Sequence, residues 1–121
     1  MKPDVINFRE KFEKIREPYQ PKIIAALNNY QFKLARIKGE FIWHSHPETD
    51  EAFIVIEGDL DIEFRDGTIH LEEGEMCIVP MGTEHKPNAI NECKVMMIEP
   101  TGTLNTGNAG GTRTVENPEW I

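Results

Sequence analysis

Hydrophobic and polar residues alternate in short runs along the middle of the chain, and this pattern is typical of β-strands. The runs 30–37 and 60–65 place apolar side chains at every second position, which predicts strands with one buried and one solvated face. The runs 52–56 and 76–79 are apolar at nearly every position, which predicts buried strands in the middle of the fold. Further short strands are expected over 23–27, 40–46, 68–71 and 93–98.

Turn-forming residues separate these runs at short spacing. The Asn28-Asn29 pair tolerates positive φ, and Asp66-Gly67 is a strong hairpin signal between two alternating runs. Other turns are expected at 38–39, 57–59 and 72–75. Strands and turns at this spacing predict an all-β fold, either a sandwich or a barrel with Greek-key or jelly-roll connections.

The N-terminal segment has a different period from the rest of the chain. Residues 4–16 predict a short amphipathic helix, because apolar side chains recur every three or four residues: Val5, Phe8, Phe12 and Ile15. Asn7 with Glu10 three residues later can form a capping box, and Pro18 ends the helical stretch. A helix this short needs the rest of the domain, or a neighbouring subunit, to cover its apolar side.

The C-terminal tail, residues 101–121, is rich in Gly, Asn and Thr and has almost no apolar periodicity. It is either a disordered end or an ordered loop that crosses the barrel mouth, held by Leu104, Val115 and Trp120. We favour partial order. The chain is therefore expected to be one domain, residues 1–121, with an N-terminal helix and arm over 1–22, a β-barrel over 23–100 and this tail.

The strongest chemical signal is the stretch 39–58, which holds three metal-binding side chains in a short space. On a strand over 40–46, His44 and His46 lie two residues apart and point to the same face. By the same parity, Glu40 and Ile42 face inward, whereas Phe41 and Trp43 face outward.

Two further ligands complete this candidate site. Residues 47–50 are expected to form a turn, and Glu51 opens the strand that follows it. His85 lies farther along the chain. Together with His44 and His46 they form a mixed nitrogen and oxygen site for one divalent transition metal ion: Fe, Mn, Ni, Co, Cu or Zn. The absence of a thiolate ligand argues against a structural zinc site.

The spacing of these residues resembles that of the cupins. The first cupin motif is matched by Gly39, His44, His46, Glu51 and Gly58. The second is matched by Gly74, Pro80, Gly82 and His85. The resemblance implies a cupin-type double-stranded β-helix, a small jelly-roll barrel, with a metal inside it held by His44, His46, Glu51 and His85. The tail resembles that of small bacterial single-domain cupins, which supply no reaction.

Composition narrows the classes of partner. The chain has 121 residues and a net charge of −8 with acids and bases interspersed, so neither nucleic acid nor an anionic membrane is expected to bind it. No apolar run has the length of a membrane span, and a cytoplasmic location is expected. Cys77 and Cys93 are then buried, reduced thiols without assigned chemistry, and His70 is an exposed polar position.

Three functions are compatible with this site. The first is a metal-dependent enzyme acting on a small polar metabolite, such as a sugar or sugar acid, by isomerisation, ring opening or lyase chemistry. The others are an iron-dependent dioxygenase and a non-catalytic metal or small-molecule binding module. The catalytic residues are unknown, because the sequence does not place Tyr19, Tyr30 or Glu99 near the metal. A small molecule in the barrel and a homodimer are the expected partners.

Overall fold

Seven strands and one short helix form the chain, and the computed structural model describes all residues, 1–121. All strand pairs are antiparallel. The elements in chain order are α1 (Phe8–Phe12), β1 (Lys22–Leu27), β2 (Tyr30–Glu40), β3 (Glu51–Glu57), β4 (Asp59–Phe64), β5 (Gly67–Glu72), β6 (Met76–Val79) and β7 (His85–Pro100). The prediction of an all-β fold with a short N-terminal helix is confirmed.

Strand β7 organises the sheet because it pairs with three other strands. The sheet order is β1-β2-β7-β3-β6, and β4 pairs with both β5 and β7. One edge of β7 follows β2 along nearly its whole length. The opposite edge pairs first with β4, over His85–Asn88, and then with β3, over Lys94–Ile98. This change of partner along one long strand bends the sheet into a barrel.

Two apolar clusters cover the two faces of β2. The inner cluster fills the barrel and includes Ala35 and Ile37 of β2. The outer cluster packs Leu34 against Phe12 and Ile15 from the N-terminal segment. Strand β2 is therefore covered on both faces, and the prediction of one solvated face is wrong. Even Lys33 is only 2% exposed.

Helix α1 is much shorter than the predicted span of 4–16. The cap at Asn7 is confirmed, since its side chain accepts a hydrogen bond from the Glu10 backbone N–H at 3.0 Å. Only part of the apolar stripe is buried: Phe12 and Ile15 are inside, whereas Val5 and Phe8 are exposed. A helix of this length depends on tertiary contacts, so it persists only where its side chains reach the barrel.

The predicted strand over 40–46 is wrong. Strand β2 continues through the expected turn to Glu40, and the following residues are irregular apart from one bridge between His44 and His85. The predicted parity is reversed for Glu40, which is exposed, and for Phe41, which is 7% exposed, whereas His44 and His46 are buried as predicted. A register shift between Ile37 and Gly39, where Gly39 has a φ of +73°, accounts for the reversal, because a bulge moves later side chains to the other face.

Strand β6 has the predicted bounds but not the predicted burial. It pairs only with β3 and forms an edge of the sheet. Met76 and Ile78 are both 52% exposed, since their side of the strand faces away from the barrel. An apolar run alone does not distinguish an edge strand from a central one.

The tail follows the barrel surface in turns and ends beside β1. Ile121 N–H donates to the Ile23 carbonyl at 3.0 Å, and Ile23 N–H donates to the Glu119 carbonyl at 2.8 Å. Trp120 is held through its backbone, because its side chain is exposed. The favoured prediction of an ordered tail agrees with these contacts, and the division into 1–22, 23–100 and 101–121 stays a prediction. No helix is long and apolar enough to cross a membrane.

Candidate metal centre

Two of the four predicted ligands come from strand ends. Glu51 is the first residue of β3, and His85 is the first residue of β7. Their positions follow from the antiparallel ladders on both sides, with Glu51 opposite Val79 on β6 and His85 opposite Phe64 on β4. The turn before His85 is tied to the site as well, because Gly82 N–H donates to the His46 carbonyl at 2.9 Å.

The other two ligands, His44 and His46, lie in the irregular segment. The backbones of His44 and His85 exchange two hydrogen bonds, of 3.1 and 2.9 Å. On the other side, Asn108 from the tail binds both backbone groups of Ser45: its Oδ1 accepts from Ser45 N–H at 2.8 Å, and its N–H donates to the Ser45 carbonyl at 2.9 Å. The tail thus takes the place of a neighbouring strand for this segment.

Gly107 makes this contact sterically feasible. Its φ is +52°, and a Cβ at this position would lie 2.1 Å from the Ser45 carbonyl oxygen and 3.1 Å from His46 Nδ1. Any larger residue would therefore push the tail away from the two histidines.

The four side chains converge, as the sequence predicts. The candidate ligand atoms of His44, His46, Glu51 and His85 all lie within 4.8 Å of one another, and all four residues are buried. Convergence therefore occurs even though the strand geometry predicted for His44 and His46 is wrong.

Hydrogen bonds at the outer nitrogens orient two of the imidazoles. His44 Nδ1 lies 2.9 Å from the Ile42 carbonyl oxygen, and His85 Nδ1 lies 2.9 Å from the Thr83 carbonyl oxygen. A carbonyl oxygen only accepts, so Nδ1 carries the proton in both rings and Nε2 presents a lone pair to the interior.

The inward Nε2 lone pair of His85 faces another acceptor rather than a donor. His85 Nε2 and His46 Nε2 each lie 3.3 Å from Glu51 Oε1. His46 Nε2 has no hydrogen-bond partner although it is fully buried. Nitrogen lone pairs and a carboxylate oxygen gathered around one point favour a cation at that point, and the residues present therefore fit a divalent metal.

The electrostatics of the pocket keep two of the candidate ligands, His44 and Glu51, in metal-binding forms. Burial, with a smaller contribution from His85, lowers the pKa of His44 to about 4, so the imidazole is neutral at physiological pH. Burial alone would raise the pKa of Glu51, but the neighbouring Glu99, His46 and His85 side chains together hold it well below its usual range.

A cavity of about 40 Å³ adjoins the ligands and is large enough for a few waters. Among the candidates that the sequence left unplaced, Tyr19 and Glu99 line this cavity together with His44 and Glu51, whereas Tyr30 does not and is exposed. The Tyr19 ring stacks on Phe41 with centroids 4.7 Å apart. Sequence reasoning missed Phe41 as a cavity residue because it assigned this side chain to the outer face.

The remaining candidate groups lie away from this centre. His70 is 48% exposed and interacts with Asp61 at 2.5 Å, which agrees with its predicted role as a polar surface residue. Cys77 and Cys93 are free thiols; Cys93 is buried, as predicted, and Cys77 only partly so. Burial raises the pKa of the Cys93 thiol to about 12, so it is not a metal-binding thiolate.

The chain is an antiparallel jelly-roll barrel, and the three histidines and one glutamate gathered inside it could hold a metal ion. Residues 34–99 match the family described as "Cupin domain", and the chain belongs to this family. The cupin-type fold expected from the resemblance is thereby confirmed.

Solved and curated relatives extend this comparison. The chain is 55% identical to a cupin-2 domain containing protein from Shewanella frigidimarina NCIMB 400, covering 79% of this chain and 94% of that one with a TM-score of 0.79. It is 34% identical to NMB1881 from Neisseria meningitidis, covering 81% of this chain and all (100%) of that one with a TM-score of 0.75. "Uncharacterized protein YdbB" of Bacillus subtilis (strain 168) is 38% identical over 73 residues, 60% of this chain and 65%, just under two thirds, of that protein.

Proposed function

We propose that the chain binds one divalent transition metal ion through His44, His46, Glu51 and His85 and acts with it on a small polar molecule in the barrel. The observation that carries this proposal is the inward orientation of the Nε2 lone pairs of His44 and His85, which lie with the Glu51 carboxylate and His46 within 4.8 Å of one another. Imidazole and carboxylate ligands suit Fe, Mn, Ni, Co, Cu or Zn.

The surroundings of the ligands favour an enzyme over a simple binding module. Four protein ligands leave one or two positions of a five- or six-coordinate metal for a substrate, which is the mark of a reactive site. A bound divalent ion supplies Lewis acidity that polarises a carbonyl or hydroxyl group. The chain itself supplies oriented ligands and a small cavity lined by Tyr19 and Glu99.

The charge of the protein limits the class of substrate. At −8 the chain does not attract heavily anionic molecules, so a neutral or singly charged sugar or sugar acid is favoured, undergoing isomerisation, ring opening or lyase chemistry. Arg113 supplies a positive charge near the cavity that favours a substrate with a single negative group. Its guanidinium carbon lies 4.7 Å from the ring centroids of both Tyr19 and Phe41.

Elemental analysis of untagged protein purified without chelator tests the proposal. About one equivalent of zinc, manganese or nickel per chain would support Lewis-acid chemistry and direct a screen of sugar acids. About one equivalent of iron would favour the alternative dioxygenase, for which oxygen consumption is the readout. Bound metal without turnover would favour the binding module, and no metal after reconstitution would contradict the proposed site.

We also propose that the protein forms a homodimer in the cytoplasm. Exposed apolar side chains near the N-terminus, Val5, Ile6 and Phe8, support self-association. The two aromatics predicted to face outward do not add to this support, because Phe41 is buried within its own chain and Arg65 lies over Trp43. Light scattering should give twice the mass of the chain, and a monodisperse monomer would contradict the dimer.

A further inference from the structure

The cavity beside the candidate ligands is too small to hold a whole sugar-sized molecule. Its volume of about 40 Å³ has room for a few waters, which is enough only for the metal-binding end of such a ligand. The remainder of the ligand must extend toward the outside of the barrel. Tyr19 and Asn105 line the cavity and are both partly exposed, so the cavity reaches the protein surface at these two residues.

Arg113 lies at this opening, because cavity-lining residues hold both its side chain and its backbone. Its guanidinium carbon lies 4.7 Å from the ring centroids of Tyr19 and Phe41, which both line the cavity. The Asn105 side chain fixes the backbone around Arg113: its Nδ2 donates to the Arg113 carbonyl at 3.0 Å, and its Oδ1 accepts from Val115 N–H at 2.8 Å. The tail therefore carries a positive charge to the rim of the cavity.

The guanidinium of Arg113 forms no ion pair with a carboxylate of the chain. Its Nη1 donates to the backbone carbonyl of Glu40 at 3.2 Å, but the Glu40 carboxylate is paired with Lys86 Nζ at 2.9 Å instead. A guanidinium has five N–H donors, so most of those of Arg113 are free for another acceptor. Its planar fork suits a carboxylate, which it can bind through two parallel hydrogen bonds.

A second groove beside the candidate ligands offers no such group. It lies between residues 47–49 and residues 100–104 and is bordered by His46 and Gly107. Its lining contains no lysine or arginine, and Glu48 contributes a negative charge that repels a carboxylate. An anionic end of a ligand is therefore favoured at Arg113 and not in this groove.

We propose that Arg113 binds the carboxylate of a ligand whose other end occupies the cavity beside the metal. The guanidinium carbon lies 4.7 Å from the Phe41 ring, and the Phe41 ring lies 5.4 Å from the His44 ring, so Arg113 and His44 are at most about 10 Å apart. The ligand class is a small monocarboxylic acid with metal-binding oxygens several atoms away from its carboxylate, as in a sugar acid. This inference rests on the proposed function.

Matched pairs of small ligands test the inference on the whole chain loaded with cobalt. The monohydroxamates of succinic and glutaric acid each have a metal-binding hydroxamate and a carboxylate, whereas the corresponding amides replace the carboxylate with a neutral group of similar shape. Binding is followed at low salt through the visible absorption of bound Co²⁺, without any assay of activity. For at least one chain length, wild-type protein should bind the acid about five- to tenfold more tightly than the amide, as for a charge-assisted pair at an exposed site.

Arg113→Gln should remove the preference for the acid. Arg113→Lys retains the charge without the paired donors and should keep part of the preference. Arg65→Gln is the matched control, because Arg65 is another exposed arginine over an aromatic ring, that of Trp43, which does not line the cavity. It removes the same charge from the protein, so a preference caused by net charge alone would fall equally in both Gln variants.

The amide ligands separate a binding role of Arg113 from a structural one. If Arg113 only held the tail in place, Arg113→Gln would weaken binding of the acid and of the amide equally. That result would overturn the inference, as would wild-type protein without a preference at either chain length. A preference that persists in Arg113→Gln, or that disappears in Arg113→Lys or Arg65→Gln, would overturn it as well. Wild-type protein that takes up no cobalt would instead overturn the proposed function, and this inference with it.

Discussion

The four candidate ligands are held in place by two different kinds of structure. Glu51 and His85, the strand ligands, begin β3 and β7 and are positioned by hydrogen-bonded ladders. His44 and His46, the loop ligands, lie outside the strands and are positioned by one bridge and by the tail. Both pairs are equally buried.

The difference shows how one site can depend on distant parts of the sequence. The position of a strand ligand is set by the register of its sheet. Many backbone hydrogen bonds together maintain that register. The loop ligands depend on fewer contacts: the bridge to His85, one hydrogen bond from Gly82, and the contacts that Gly107 and Asn108 make with Ser45 from some 60 positions later in the chain. Changes in the tail should therefore weaken the loop ligands while the strand ligands stay in place.

Removal of a ligand should have the largest effect on metal affinity, and the loss should be the same for a strand ligand as for a loop ligand. Glu51→Ala and His46→Ala are each expected to lower metal affinity more than about 100-fold, because a direct ligand matters more than the groups around it. Metal content by elemental analysis and folding by circular dichroism are the measurements. His70→Ala, at the exposed histidine, is the control, and wild-type metal content in a ligand variant would show that its assignment is wrong.

Gly107→Ala should disturb the loop ligands and leave the strand ligands in place. The added Cβ would meet the Ser45 carbonyl, displace the tail and loosen His44 and His46, so metal affinity should fall by about 10- to 100-fold. Gly110 has a similar φ, +62°, but a Cβ at this position would meet no atom within 4 Å. Gly110→Ala therefore controls for backbone strain. Equal metal titrations for the two variants would show that the tail does not support the loop ligands.

Asn108→Ala should have a smaller effect of the same kind. It removes the acceptor for Ser45 N–H but keeps the backbone hydrogen bond to the Ser45 carbonyl. Loss of one such partner costs about 1–3 kcal/mol, measured by chemical denaturation of the metal-free protein. Asn108→Asp retains an acceptor oxygen and should stay closer to wild type; a more stable Ala variant would refute this role.

The pH dependence of the metal-free protein shows whether the loop ligands stay buried without a metal. If they do, the pKa of His44 is about 4 by NMR, against 6.5 for an unperturbed histidine, because burial disfavours its charged form. The unfolded chain then takes up the proton first, so this group lowers stability as pH falls from 6.5 to about 4 and has no effect above 6.5. Titration near 6.5 would show that the loop region opens.

The strands were predictable where their period was strong. Most runs, such as 60–65 and 76–79, fall within a residue or two of the observed strands. Burial was less predictable: Ile78 lies at an edge, and Lys33 is inside the barrel. Which face of a strand is covered depends on neighbouring strands, and the local pattern contains no information about them.

The convergence of the four candidate ligands was predictable, but for a partly wrong reason. His44 and His46 were expected to share one face of a strand, whereas they converge in an irregular segment after the bulge near Gly39. The residue types and their spacing carried the inference, because few other arrangements explain three histidines and a glutamate in these motifs. The roles of Gly107 and Asn108 had no signal in the sequence beyond a tail rich in glycine and asparagine.

The all-β class, most strand positions and the four candidate ligands can be read from the amino-acid order, because they depend on residue type and on local period. The folded chain was needed to show that Glu99 and Lys33 lie beside the candidate ligands and that the tail contacts the segment of His44 and His46. Such neighbours meet through the register between distant strands and through contacts between distant segments, and a one-residue shift at a bulge is enough to change which side chains face the cavity.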